Sequence, residues 1–593
     1  TKLELDFTGK TLQTHTTHKK TGQPDDIVTI DAFDYDPAGR LLTQKQTLNS
    51  QAEELITENH YDELGQLDSK GVGGIATAST PLQTIDYTYN IRGWLKSINQ
   101  PGNLGNDLFG FELNYNTPQG PSTSTYYNTP LYNGNISHVK WQTNNISTDV
   151  RHYSYKYDAM NRFTRAYYAE NDRYNNKYNA YIYNYDRNGN IGRLLRYGEN
   201  PSNTSQIRVM DYLSYTYDDG NQLTGVKDYY NNTTSNSMGG FEDKNTSAVD
   251  YDYDANGNMT EDKNKNITNI DYNHLNLPTK VEFTAIGKGA SKNISYVYDA
   301  TGTKLSKVVN DNSSSQNQTL YAGNYIYNKN GWGAQLKFIS QPEGYIEPNT
   351  SGSFDYVYQY KDHLGNVRLS YSDTNKDGQV KGASSTIIWE DNFESASGWD
   401  GSGNIYGSPL SAFDSTFKKT GNYSGRIEPS TGYARYTHSN EWLPINISEP
   451  TYYTISAWVF LEDVDTNEAN IFLFMNTNEE TGYFTEVGFT KTKIKGQWHY
   501  LQKFILVPEN IDKLNFRIDN VYAGKVWFDN VSIGVANFDN EIVEENNYYP
   551  FGLEHKGYNN VVNGTEYNYQ TYQGQEISKE LGYNMLEFKY RHY

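Results

Sequence analysis

Tyr183-Asn184-Tyr185-Asp186-Arg187-Asn188-Gly189-Asn190 is the stretch on which the fold turns. Tyrosines two residues apart put their rings on one face of a strand. The aspartate behind them can accept backbone N–H groups two residues on, and the glycine supplies the positive φ that reverses the chain. The phrase therefore reads as strand, turn, strand. Where similar phrases are followed by apolar and polar residues in alternation, as at residues 40–42, 222–224 and 367–371, the alternation reads as the returning strand.

Outward from this stretch the phrase recurs along most of the chain. It returns with Phe33, Tyr35, Asp36 and Gly39, with Tyr61, Asp62 and Gly65, and with Tyr87, Tyr89, Asn90 and Gly93. Tyr155, Tyr157 and Asp158 carry Asn161 in the glycine place, while Tyr215, Tyr217, Asp218, Gly220 and Asn221 read as a copy one residue shorter. Further copies hold Tyr251, Tyr253, Asp254 and Gly257, then Tyr296, Tyr298, Asp299 and Gly302, then Tyr358, Tyr360, Asp362 and Gly365. The spacing is uneven, so loops of different length join hairpins of one design. Repetition also settles the role of the carboxylates. Catalytic pairs need distinct environments to separate their pKa values, and a repeated phrase offers each aspartate much the same one.

Composition agrees with an all-β array. Tyr occurs 55 times and Gly 49 times while Cys is absent, a mixture suited to strands and tight turns rather than long helices, and one that leaves no disulfide to form. With 36% hydrophobic but 15% aromatic residues, the core must be built largely from tyrosine rings with their hydroxyls at its edge or in water. A formal charge of -21 argues against a nucleic-acid surface. No apolar run is long enough for a membrane span, and Thr1 opens no signal peptide, so the chain is expected to be a mature or truncated fragment.

Between about residues 387 and 535 the phrase vanishes and Trp, Phe and Ile take over, which marks an inserted domain of alternating strands and leaves 1–386 and 536–593 as one interrupted array. Asp391-Asn392-Phe393-Glu394, then Thr420-Gly421-Asn422-Tyr423-Ser424-Gly425, then Trp527-Phe528-Asp529-Asn530-Val531 resemble jelly-roll carbohydrate-binding modules. That resemblance implies a structural Ca²⁺ held by Glu394 and Asp529. Sugar binding needs exposed aromatic faces, for which Trp399, Trp442 and Trp498 are the candidates, each open to a core reading as well; Trp458 and Trp527, in alternating strands, read as core. Asp373-Thr374-Asn375-Lys376-Asp377-Gly378-Gln379 matches the first half of a calcium loop, with oxygen ligands from Asp373, Asn375, Asp377 and Gln379. Its twelfth position is Ser384 rather than Glu, so an ordinary Asp/Asn/Gly turn stays open as the alternative.

The repeated phrase resembles the YD repeat of bacterial Rhs proteins, toxin-complex shells and teneurins. Tyr360-Lys361-Asp362-His363-Leu364-Gly365-Asn366-Val367-Arg368 is similar to the Rhs core signature, in which His363 is read as a structural hydrogen-bonder. Tyr548-Tyr549-Pro550-Phe551-Gly552 and Leu581-Gly582-Tyr583-Asn584-Met585 resemble the Rhs-associated core just upstream of its Asp-Pro motif. The resemblance implies a β-hairpin array spiralling into a shell or cocoon, with no catalytic residue of its own. It implies a secreted or cell-surface bacterial protein that encapsulates or presents a C-terminal toxin for interbacterial antagonism. The forms of the motifs look like those of Bacteroidetes, which favours type IX secretion machinery. The rival expectation is an adhesin whose repeats display a glycan-binding jelly roll without a toxin.

Overall fold

The computed structural model describes the chain except at residues 21–25, 79, 122–126, 146–148, 172, 201–202, 233–234, 237, 246, 285–291, 313–316, 331–332, 350, 383, 395–398, 401–411, 428–433, 439–441, 463–468, 477–484, 493–497, 510, 521–523, 538–540, 556–571, 589–591 and 593. The repeated phrase folds as a hairpin turn. At Asp36 the backbone N–H donates to the Arg40 carbonyl at 2.9 Å, and the Gly39 N–H donates back to the Asp36 carbonyl at 2.9 Å with Gly39 at φ 85°. The Asp36 side chain accepts the Arg40 N–H at 2.8 Å, and that bond holds its carboxyl below the usual carboxylate range. The same pair of backbone bonds closes the turns at Asp62, Asn90, Asp158, Asp186, Asp218, Asp254, Asp299 and Asp362.

One reading is corrected here. The copy at Asp218 is not shorter, because Asn221 at φ 66° takes the left-handed place and Gln222 closes the turn, as Asn161 and Arg162 do at Asp158. Asn tolerates that conformation better than other side chains. Copies that the pattern missed close in the same way at Asp6–Lys10, Asn273–Leu277, Asn349–Ser353 and Tyr549–Leu553.

The hairpins join into two large antiparallel sheets. The first runs from Lys2–Leu5 to Leu223–Asp228 in 17 strands; the second runs from Tyr251–Tyr253 to Val367–Tyr371 and ends on Ile542–Glu545, in 13 strands. Neighbours in sequence are almost always neighbours in the sheet, as Ile27–Tyr35 with Leu41–Leu48 and Lys292–Tyr298 with Lys304–Asn310. Successive hairpins are also tied through the second tyrosine of each phrase. Tyr61, Tyr89, Tyr217 and Tyr253 donate to the carbonyls of Leu41, Leu67, Ile191 and Leu223, at 2.9, 3.0, 3.1 and 2.7 Å. Each acceptor begins the returning strand of the hairpin before.

The expectation that tyrosine hydroxyls lie at the edge or in water fails for the core. Tyr358, Tyr360 and Tyr371 are essentially unexposed, and they pack in one cluster with Leu48, Ile56, Phe109 and Trp141 of the other sheet. Tyr356, Tyr358 and Tyr360 donate across the interface to Gln46, Glu54 and Gln83 at 3.1, 2.8 and 2.7 Å. A phenol can be buried at little cost when its hydroxyl finds such a partner. Among the described residues helical backbone is confined to Ser235 and Asn236 and the 3₁₀ turn Glu580–Gly582, and no helix is long and apolar enough to cross a membrane.

Residues 384–537 build two further six-stranded sheets that face each other across Ile455, Val459, Leu473, Phe516, Ile518, Phe528 and Ile533. The two ends of this segment lie side by side, with the Glu541 N–H donating to the Lys381 carbonyl at 3.1 Å. Beyond it the chain re-enters the second sheet beside the strand it left, pairing Leu369 with Glu545. Tyr548 then donates to the Val367 carbonyl at 3.1 Å, which repeats the tie between hairpins across the insert.

Candidate functional site

The aromatic residues of the insert divide between its interior and its surfaces by strand alternation. Along Thr451–Leu461, the side chains of Tyr453, Ile455, Ala457, Val459 and Leu461 enter the core, so Trp458 and Phe460 point outward. Phe460 lies opposite Trp498 on one neighbouring strand and Trp527 on the other, with ring centroids 5.8 and 5.6 Å away. Trp458 thus sits half-buried on the outer face rather than in the core expected for it, whereas Trp527 is buried as expected, though on the outer side of its sheet. Phe417 lies 4.6 Å from both Phe460 and Trp527 and, with them, leaves Trp527 only 4% exposed.

Glu394 and Asp529 converge on the loop that carries Phe417. Asp529 is fully buried; one of its oxygens accepts the N–H groups of Lys419 and Thr420 at 2.8 and 3.0 Å, and the other accepts that of Asn530 at 2.8 Å. Glu394 accepts the N–H groups of Asn422 and Tyr423 at 2.5 and 2.9 Å, which hold its carboxyl below the usual range, whereas burial pushes that of Asp529 up. The groups facing these oxygens are N–H donors, so the two carboxylates clamp the loop between them. Among the described residues, no group of three or more His, Asp or Glu side chains is arranged to hold a metal ion.

In the loop at Asp373, the Asp373 side chain accepts from Asp377 at 3.2 Å and from Gly378 at 3.0 Å, Asn375 accepts from Asp377 at 2.7 Å, and Asp377 accepts from Gln379 at 2.9 Å. The Lys381 ammonium sits 2.7 Å from the other Asp377 oxygen and draws that carboxyl below its usual range. The bonds are those of consecutive Asx turns with lysine as the resident cation.

Trp442 and Trp498 do not line one site. The side chain of Trp399 lies outside the described residues, and Trp498 belongs to the outer face of one sheet. Trp442 lines a cavity of about 130 Å³ with Trp389, Asn515 and Phe516. Trp389 and Asn515 were not singled out from sequence; a tryptophan on the first strand of the insert was the one available signal.

The signature segment organises the return of the chain into the array. Arg368, 5% exposed, donates to the Asn546 carbonyl at 2.9 Å and to the Asn547 side-chain oxygen at 2.7 Å, and Trp141 donates to that same oxygen at 2.6 Å. Its guanidinium lies 5.3 Å from the Trp141 ring and 5.6 Å from that of Phe109. Glu545, 3% exposed, accepts from Thr143 and Asn145 at 2.8 Å each. His363 stacks on Phe111 at 5.6 Å, a ring contact in place of the hydrogen-bonding role expected of it.

No protein-family model matches this chain, and no curated protein does. Among solved structures it is similar to that described as TcdB2-TccC3 without its hypervariable C-terminal region, at 16% identity over 64% of this chain with a TM-score of 0.42. The chain spans 20% of that protein's length. It is also similar to the C-terminal family 22 carbohydrate-binding module of Clostridium thermocellum Xyn10B, at 13% identity, covering 30% of this chain and 98% of that one, with a TM-score of 0.20. The tandem CBM22-1-CBM22-2 of Paenibacillus barcinonensis Xyn10C gives 14% identity over 48% of this chain and 71% of that one, with a TM-score of 0.21.

Proposed function

We propose that this chain is a non-catalytic shell segment of a secreted Rhs/YD-repeat protein that encloses or presents a C-terminal toxin, and that its insert binds glycans. The observation that carries the reading is the array that continues past its insert. The turn carboxylates, the tyrosine hydroxyls and Arg368 hold one hairpin or sheet to another, and the array resumes past the insert as though nothing stood between Tyr371 and Ile542. Polar groups committed in this way serve a wall, and the insert with its adjacent ends is suspended from that wall. The location is proposed as the cell surface or beyond it, reached by a secretion apparatus such as type IX.

Imaging the protein from which this segment comes tests the wall. A closed particle with density inside supports encapsulation, and an open array removes it. The suspended insert also favours a second reading, an adhesin without cargo, which the same images separate from the first. Glycan binding is tested by applying the whole chain to an array of polysaccharides, where a blank array removes that part.

Calcium is proposed for Glu394 and Asp529, as a structural ion of the insert, and for Asp373, Asn375, Asp377 and Gln379, where it would displace Lys381 from Asp377. A calorimetric titration with CaCl₂ should give heat that grows in the Lys381→Met variant. Heat from neither chain removes the ion.

A further inference from the structure

We propose that Trp389, Trp442 and Asn515 form a pocket at the edge of the insert for the terminal ring of a neutral glycan. The inference deepens the glycan-binding reading and rests on it. Trp389 comes from Ser384–Asp391, which pairs with Val526–Asn537 in one sheet; Leu443 and Leu514 pair with each other in the opposite sheet. The cavity between them therefore lies where the two layers part at the margin of the sandwich, away from the aromatic row of Phe460, Trp498 and Trp527.

Size, lining and hydrogen bonding point to one class of ligand. The volume, about 130 Å³, far exceeds the ~10–15 Å³ that one water requires. Leu514 and Phe516, 0% and 1% exposed, are core residues that form its floor, so a ring enters it from the outside only. A half-open pocket floored in this way admits the ring at a chain end. The two half-buried indoles offer flat faces to the C–H groups of a sugar. Asn515 supplies the polar contact, for its side-chain oxygen lacks a hydrogen-bond partner and a turn of the amide toward the cavity lets a sugar hydroxyl donate to it. Among the described residues no ionisable side chain lines the cavity, which favours a neutral sugar over a uronate or a sugar phosphate.

Titration of the whole chain with xylose, glucose, galactose and N-acetylglucosamine, and with their short oligomers, followed by tryptophan fluorescence and calorimetry, tests this. At least one monosaccharide should compete with its own oligomer at a dissociation constant within about tenfold of it, and glucuronate should not. Trp442→Ala and Asn515→Leu should each weaken binding at least tenfold. The thermal midpoint of Asn515→Leu should hold or rise, because the change removes an unpaired acceptor, and this separates lost binding from lost folding. Oligomers that bind both variants as they bind the parent overturn the pocket while leaving glycan binding intact. Binding only to oligomers, or equal binding of glucuronate, overturns the terminal or the neutral assignment. Failure of every sugar overturns both this inference and the reading beneath it.

Discussion

Tyr89 gives its hydroxyl to the Leu67 carbonyl at 3.0 Å, and its counterparts in other hairpins do the same with their own predecessors. The bond explains why tyrosine and not phenylalanine fills this place. Removing it by Tyr89→Phe should cost about 1 kcal/mol in urea unfolding, the usual net worth of one such bond. The ring keeps its packing in that variant, so a loss near zero would show that the hydroxyl contributes nothing. Arg368 should matter more, since its fork meets two acceptors in a buried aromatic setting. Lysine cannot reproduce that fork. Arg368→Lys is expected to destabilise the chain by roughly 3 kcal/mol, by analogy with broken buried pairs, and an unchanged denaturation midpoint would contradict the account of the seam.

At the scale of elements, the unit is a hairpin whose turn is closed by backbone bonds and an Asp or Asn side chain. The copy at Tyr549 shows how far the sequence can drift while the backbone geometry persists, since Tyr549 stands where the others have Asp or Asn and the turn still closes through Leu553 and Gly552. The insert enters and leaves through neighbouring backbone at Lys381 and Glu541. Replacing residues 384–537 with a short Gly/Asn turn should therefore leave the two large sheets folded, with a cooperative transition and a β-type circular dichroism spectrum. Loss of that transition would mean that the insert supports the array it interrupts.

For the whole molecule, buried histidines set the response to acid. His138, His152 and His555 are buried, and burial depresses all three, His138 to about 3. The unfolded chain binds protons at these sites below the ordinary histidine value near 6.5, while the folded chain does not. Their contribution is thus fully present above pH 6.5 and is lost as the pH falls, by up to about 1.4 kcal/mol per pH unit for each histidine. The thermal midpoint should drop between pH 6.5 and 4.5, above the range where most carboxylates titrate; a flat profile there would contradict the burial of these rings.

What the sequence determined by itself is the hairpin and its repetition. The turn depends on Asp or Asn, a left-handed Gly or Asn and the alternation beside them, all within a few residues, so local chemistry was enough to place most copies and the all-β class. It also showed that the array is interrupted, because the change in composition is itself local. Only the tertiary structure decided where the tyrosine hydroxyls go, that Trp458 and Trp527 face outward, that Glu394 and Asp529 clamp a loop, and that Trp389 and Asn515 join Trp442 at one cavity. Those outcomes rest on contacts between residues far apart in the chain, such as Tyr358 with Glu54, and on which face of a strand packs inward. Neither the residue type nor its spacing along the sequence encodes that choice.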